Sequence, residues 1–378
     1  MITLKVNGIE YDNFLSASCS RSMIEFTSEA NFTIALEHGQ FPPFLGNERC
    51  EVFIDDEKVM TGFIDIVSVE YSNDSHAVSY TARDRTADFA DSSINDLGDL
   101  GKTISLKKII EIVLSHLKLD VASKGTENGI QVINSVDDLK PFTITDDMSP
   151  DVGDNAFEYC EGYARKRQVL LTTNADGNIQ LTRNSGVEYS TALQNSFEDL
   201  KKENNILSGS FNYDYTNGFR KYIVKSQLSK SSSGGLNFGT VTNKKAANQS
   251  GIFEDIGVRE GRQIVIIAKE SANDVDNTEN AKWQANFQRV QSQTYSVQIF
   301  GHSLNSEIIE PNKLIKVLDN FAELDEVMTI ESVSSEYSVT SGSVTTINLT
   351  DKDAFTLTVT EPLEKEKDTG KSGRLSFG

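Results

Sequence analysis

Four histidines, three cysteines and 56 carboxylates are the residues of this 378-residue chain from which chemistry could be built. His38, His76, His116 and His302 stand far apart, and no HExxH or CxxC spacing brings ligands together for a metal. No Walker A run, no GxGxxG after a strand and no GxSxG elbow occurs. Ser105-Leu106-Lys107-Lys108 has the S-x-x-K spacing of a serine nucleophile, but it heads a helical pattern, where Ser105 reads as an N-cap. Thr172 to Gly177 has half of a calcium loop, yet Arg183 stands where the bidentate Glu belongs, and Asp176-Gly177 between alternating apolar runs reads as a hairpin turn. Catalytic, cofactor and metal sites are therefore not expected.

The basic residues are the other candidates. Arg83 and Arg85 alternate with Asp84 and Asp88, and Arg165-Lys166-Arg167 is the densest basic run in an acidic chain. Each group has two readings. Arg83 and Arg85 form local salt bridges at a strand end or pair with a neighbouring subunit. Arg165, Lys166 and Arg167 are a solvated helix end, favoured by the helix dipole, or a contact to an acidic subunit. Cys160 reads as a small core residue.

The elements that position these residues follow from composition and period. Lys+Arg number 36 against 56 Asp+Glu, a net charge of −20, which argues against sequence-independent wrapping of nucleic acid. No apolar run reaches the ~18–20 residues of a membrane span. The opening Met1-Ile2-Thr3-Leu4-Lys5-Val6 carries no secretory pattern, and Cys19, Cys50 and Cys160 are too few and odd for a disulfide framework, so a reducing cytoplasm is expected for synthesis. Residues 1–95 alternate as short strands and predict a first β-barrel module. Leu106, Ile109, Ile110, Val113, Leu114 and Leu117 fall at helical spacing, and a second helix carrying Phe157, Cys160, Tyr163 and Ala164 is expected after a cap at Asp154. With the Asp176-Gly177 hairpin they make 96–205 an α/β domain. Residues 206–228 and 295–358 read as a second, split barrel module. Residues 229–294 read as an insertion of strand, Ser/Gly/Asn-rich loop (230–251) and a helix bearing Trp283 and Phe287. Residues 359–378 read as a flexible tail. The fold class is α+β, mainly β.

The two β modules resemble each other. A shift of 266 places Val67–Phe89 on Val333–Phe355 without gaps, with eight identities that include Val-Ser-x-Glu-Tyr-Ser, and Val59-Met60-Thr61 matches Val327-Met328-Thr329 two residues out of step. Two like modules per chain suggest an assembly adaptor: a trimer would present six similar units and could join a three-fold object to a six-fold one.

Three segments carry a resemblance to a known family. Tyr80 to Ser93 (YTARDRTADFADSS) looks like the close of a first barrel. Tyr163 to Leu171 with Asp176 to Arg183 looks like the helix and hairpin of a middle domain. Pro311-Asn312-Lys313-Leu314-Ile315-Lys316-Val317 looks like a second-barrel motif. The sequence resembles the Mu-like phage baseplate hub (tail) proteins, related to the central hub of T-even phages, the late-control D proteins and the N-terminal part of VgrG spikes. In the first segment Ala82 replaces the usual Gly and Ser92 a frequent Cys. The resemblance implies a homotrimeric ring in the virion tail, assembled in the host cytoplasm. Its partners would be the tail tube, the central spike and baseplate wedge proteins, with no membrane, no cofactor and no stable binding of the DNA that passes. It transfers no catalytic residue. The competing functions are a tail-associated cell-wall hydrolase, which needs a carboxylate pair in a cleft, and a carbohydrate-binding β protein, to which the lone Trp283 in a helix gives little support.

Overall fold

The computed structural model describes residues 1–37, 40–73, 75–98, 100, 103–121, 128–143, 149–196, 204–216, 218–227, 249–271 and 277–355. The expected tail 359–378 and most of the 230–251 loop lie outside these residues.

The chain begins with a hairpin, β1 (Ile2–Val6) and β2 (Ile9–Tyr11). Its turn residues Asn7 and Gly8 both have positive φ, the conformation that a tight two-residue turn demands and that this pair adopts at low cost. Then follow β3 (Ser16–Ser22), β4 (Glu29–Ala35), β5 (Arg49–Ile54), β6 (Glu57–Tyr71), β7 (His76–Asp84) and the short helix α1 (Ala87–Asp91). The strands hydrogen-bond in the order β1-β5-β6-β7-β4-β3. Period-2 alternation sends Leu4, Phe32, Val52, Ile64 and Tyr80 into one shared core.

The middle segment holds β8 (Thr103–Ile104), α2 (Leu106–His116), β9 (Val132–Asn134), β10 (Phe142–Thr143), α3 (Ala156–Lys166) and the hairpin β11 (Leu170–Thr173) and β12 (Ile179–Thr182). Ser105 caps α2: its Oγ accepts the Lys108 N–H at 3.2 Å. The cap of α3 is Asn155 rather than Asp154. Its Oδ1 accepts the Glu158 N–H at 3.0 Å, while Asp154 accepts the Asp151 N–H one turn earlier. Ile109, Val113, Cys160, Ala164 and Leu181 bury the facing sides of these elements.

Strands β13 (Leu193–Asn195) and β14 (Ile206–Tyr213) lead to a small separate sheet of β15 (Lys221–Gln227), β16 (Gln249–Glu254) and β17 (Gln263–Ser271), covered by α4 (Asn277–Ser292). The expected second module includes β15 within 206–228, but the hydrogen bonds of β15 go to β16 and β17. The chain then returns through β18 (Gln293–Phe300), the short hairpin β19 (Ser303–Leu304) and β20 (Glu307–Ile308), and β21 (Leu314–Asp319), β22 (Leu324–Ser338) and β23 (Gly342–Asp351). Their order is β21-β22-β23-β18-β14, around a second core of Val297, Val317, Ile330, Ile347 and Leu349.

The protein is mainly β, as expected, but the two barrels are not closed. Among the described residues one 13-stranded sheet runs β14-β18-β23-β22-β3-β4-β7-β6-β5-β1-β2 as an open path, with β21 and β13 on a side branch. The reason lies in β22. Its first half pairs with β21, and past an irregularity at Ile330/Ser332 its second half takes β3 of the other module as partner. Each module thus curls about its own core without a ring of hydrogen bonds.

The strand pairings correct the internal alignment. β6 maps onto β22 at a shift of 266, and the irregularity at Ile64/Ile66 falls on that at Ile330/Ser332. Beyond the turn the shift becomes 267, because Gly62 pairs Asp84 while Met328 pairs Asp351. Asp84 and Asp351 are therefore equivalent, whereas the identical Val-Met-Thr triplets are not.

Candidate assembly surface

The three thiols of the chain are all buried. Cys19, Cys50 and Cys160 are free, and burial pushes the first two up to about 11 and about 12 and raises the third. A thiol held neutral in this way is a poor nucleophile. No group of three His, Cys, Asp or Glu able to hold a metal occurs among the described residues. Trp283 is buried and stacks on Phe287 at 5.5 Å, so it offers no open platform for a sugar ring.

The strand-end sequence Arg83-Asp84-Arg85 is spent inside the chain. Arg83 Nε meets Asp65 Oδ2 at 2.6 Å and its Nη2 meets Asp91 Oδ2 at 2.7 Å. Asp84 is buried and accepts from the Ser28 and Thr86 amides, at 2.7 and 2.9 Å, and from the hydroxyls of Thr86 and Thr173. Burial raises its pKa, and these four donors oppose the shift. Arg85 reaches out of the module: Nε donates to Gly177 O at 2.9 Å, Nη1 to Asn128 O at 2.8 Å and Nη2 to Asn178 Oδ1 at 2.6 Å. It clamps the first module to the β11–β12 turn.

The second basic run is divided. Arg165 pairs with Glu161 one turn back and lies 5.4 Å from the Phe287 ring. Lys166 sits 4.2 Å over Tyr163. Arg167 stacks 3.7 Å over Phe142 and donates to the carbonyls of Lys140 and Pro141 at 2.7 and 3.0 Å. Of these three only Arg165 is exposed, so the structure gives each of the five basic residues a partner in its own chain.

The features that sequence reading did not find are two sheet edges. The outer half of β6, Ile66–Tyr71, pairs with β7 on one side, and β5 stops pairing at Phe63 on the other. β14 pairs with β18 alone. Among the described residues no other strand pairs with either edge, and β13 touches β14 only at its start, where the Asn205 N–H donates to Gln194 O at 3.1 Å. Ile66, Val69 and Tyr71 on one and Leu207 on the other are exposed apolar side chains. Alternation alone cannot reveal such edges, because it reports which face is buried and not which side lacks a partner.

Comparison with known proteins places this geometry. Residues 1–84 match the family described as Mu phage baseplate assembly protein GpP-like, N-terminal. Over its full length the chain is 21% identical to the baseplate hub protein gp44 of Escherichia phage Mu, covering 93% of that protein. The 43 kDa tail protein of prophage MuSo2 from Shewanella oneidensis shares the fold: 22% identity, TM-score 0.74, covering 93% of this chain and 98% of that one. A type VI secretion component of E. coli, described as structurally similar to the T4 tail proteins gp27 and gp5, matches at TM-score 0.55 and 11% identity over 92% of this chain and 76% of its own. These matches bear out the resemblance to Mu-like baseplate hub proteins read from the sequence.

Proposed function

We propose that this chain is the structural hub of a contractile phage-tail baseplate, a homotrimeric ring that adapts a hexameric tail tube to a trimeric central spike. Its place is the virion tail, and no described helix is long and apolar enough to cross a membrane. The observation that carries the reading is the pair of equivalent modules in one chain. β5-β6-β7-β4-β3 and β21-β22-β23-β18-β14 repeat the same antiparallel order. Three such chains display six like units on one side, which fits a six-fold tube, while the chain count of three fits a spike. The partners in this reading are the chain itself, the tube protein, the spike protein and the wedge proteins. No catalytic step is assigned to it. The division at 1–95, 96–205, 206–228 with 295–358, 229–294 and 359–378 belongs to the same proposal, except that β15 goes with the inserted sheet to which it is hydrogen-bonded. So does a subunit contact for the exposed Arg165; Arg83, Arg85, Lys166 and Arg167 would contribute through the surfaces they brace.

The experiment is light scattering across micromolar concentrations, followed by low-resolution imaging. A three-fold ring of three times 41.8 kDa is expected. A monomer throughout that range overturns the ring.

A further inference from the structure

We infer that the two unpaired edges are the two halves of one joint: the outer half of β6 in one copy pairs antiparallel with β14 of a second copy, with Val69 opposite Phe211. The inference rests on the oligomeric reading above and supplies the contact that would build it.

The template for this joint is inside the chain. The outer half of β22 pairs with β3 in the register Ser332↔Ser22, Ser335↔Cys19 and Ser338↔Ser16. The pairings make β22 the equivalent of β6, at a shift of 266. They also make β14 the equivalent of β3. Ala30 pairs Ala82 and Cys19, and their counterparts are Tyr295, which pairs Leu349 and Phe211. Cys19 therefore maps onto Phe211, a shift of 192. Burial agrees with these shifts face by face: Ala30 and Tyr295, Phe32 and Val297, Ala82 and Leu349, and Ile64 and Ile330 are all buried pairs. The chain thus contains one module–module joint made and the two halves of another left open. Transferring the register gives Val67↔Tyr213, Val69↔Phe211, Glu70↔Ser210, Tyr71↔Gly209 and Ser72↔Ser208.

Exposure marks what the open halves lack. In the made joint Val333, Ser335, Ala17 and Cys19 are each no more than 3% exposed, and Tyr337 packs partly buried against the core of the first module. At the equivalent open positions Val69 is 51% exposed and Tyr71 is 81% exposed. Leu15, whose carbonyl accepts the Val339 N–H at 3.1 Å beside the made joint, is itself 40% exposed and maps onto Leu207, 58% exposed, so this end of the joint stays open to solvent in both. Neither open edge carries the lysine, proline or inward charge with which a solvent-facing edge is normally protected. The two edges differ from one another, so the contact is head-to-tail. Each chain offers one of each, and repetition alternates joints within chains with joints between them.

Paired cysteines test the register. Glu70→Cys with Ser210→Cys places thiols on directly opposed positions, where Cβ atoms lie about 4.5–5.5 Å apart. Under mild oxidation this variant should give cross-linked dimer and trimer bands on a denaturing gel. The slipped pair Glu70→Cys with Leu207→Cys and either single variant should not. Val69→Lys supplies a second reading. It puts a charge where the equivalent Ser335 is buried, and it should leave a folded monomer, with unchanged circular dichroism, in place of the oligomer. An oligomer that stays uncross-linked in the matched pair, or that survives Val69→Lys, overturns this joint and leaves the trimeric reading standing. A wild-type chain that scatters as a monomer overturns the trimer, and the joint with it.

Discussion

His302 shows how much a single buried side chain can decide. Its Nδ1 lies 3.0 Å from Thr345 Oγ1, and that hydroxyl donates to Gly301 O at 2.8 Å, so the ring nitrogen is the donor of the pair. Nε2 is then a buried acceptor with no partner among the described residues. Burial lowers the histidine to about 4, the N-terminal ammonium pushes the same way, and Asp55 opposes. The unfolded chain, with its histidine near 6.5, takes up the proton first. The stability that the neutral ring represents is therefore complete above about pH 6.5 and is lost as pH falls towards 4, at up to about 1.4 kcal/mol per pH unit. Urea midpoints between pH 7.5 and 5.5 should fall for the wild-type chain and fall less for His302→Gln. Parallel slopes for the two proteins would refute the assignment. At the same scale, Arg85 shows what sequence conceals. Three of its acceptors, Gly177, Asn128 and Gly129, are backbone carbonyls, which leave no signature in residue type.

Elements were legible where their cause is local. The apolar spacing of Leu106 to Leu114 fixes α2, and Asp176-Gly177, with Gly177 at positive φ, fixes the β11–β12 turn. The internal repeat was legible through Val-Ser-x-Glu-Tyr-Ser, which lies in β6 and β22. It went out of step by one past the turn, because that turn is one residue longer in the second module: Tyr71 pairs His76, but Tyr337 pairs Ser343. Barrel closure was not legible, since it depends on β22 choosing β3, some three hundred residues away in sequence. Two glycines test the packing of elements with opposite signs. A Cβ on Gly62 would lie 1.8 Å from the Arg83 carbonyl oxygen, a backbone atom of the paired β7 that cannot swing aside. Gly62→Ala should cost about 1–3 kcal/mol by forcing these strands apart. Gly162 sits inside α3 with nothing within 4 Å of its would-be Cβ. Gly162→Ala should stabilise by roughly 0.5–1 kcal/mol through helix propensity. Denaturant midpoints moving in the same direction for both variants would contradict the local geometry.

At the scale of the whole molecule the dominant fact is charge. One chain carries −20, so three copies carry three times that, −60 in all. In the proposed hub the genome passes through or beside the ring during ejection, and a surface that captured phosphates would slow it. Each phosphate neutralised by Lys or Arg adds salt-dependent affinity through counterion release, so passage favours a lining poor in free cations. The described basic side chains fit that demand in part. Arg83, Arg183, Lys313 and Lys316 are all paired with carboxylates, and Arg85 and Arg167 are engaged by carbonyls. An acidic wall repels a duplex only within about a Debye length, roughly 8 Å at physiological salt, and a channel just wide enough for DNA lies inside that range. The assembled protein should therefore leave duplex DNA unretarded in a gel-shift assay even at about 50 mM salt, where electrostatic binding is strongest. A shift at low salt that disappears on raising the salt would reveal a basic track through the ring and overturn this account of how the DNA passes.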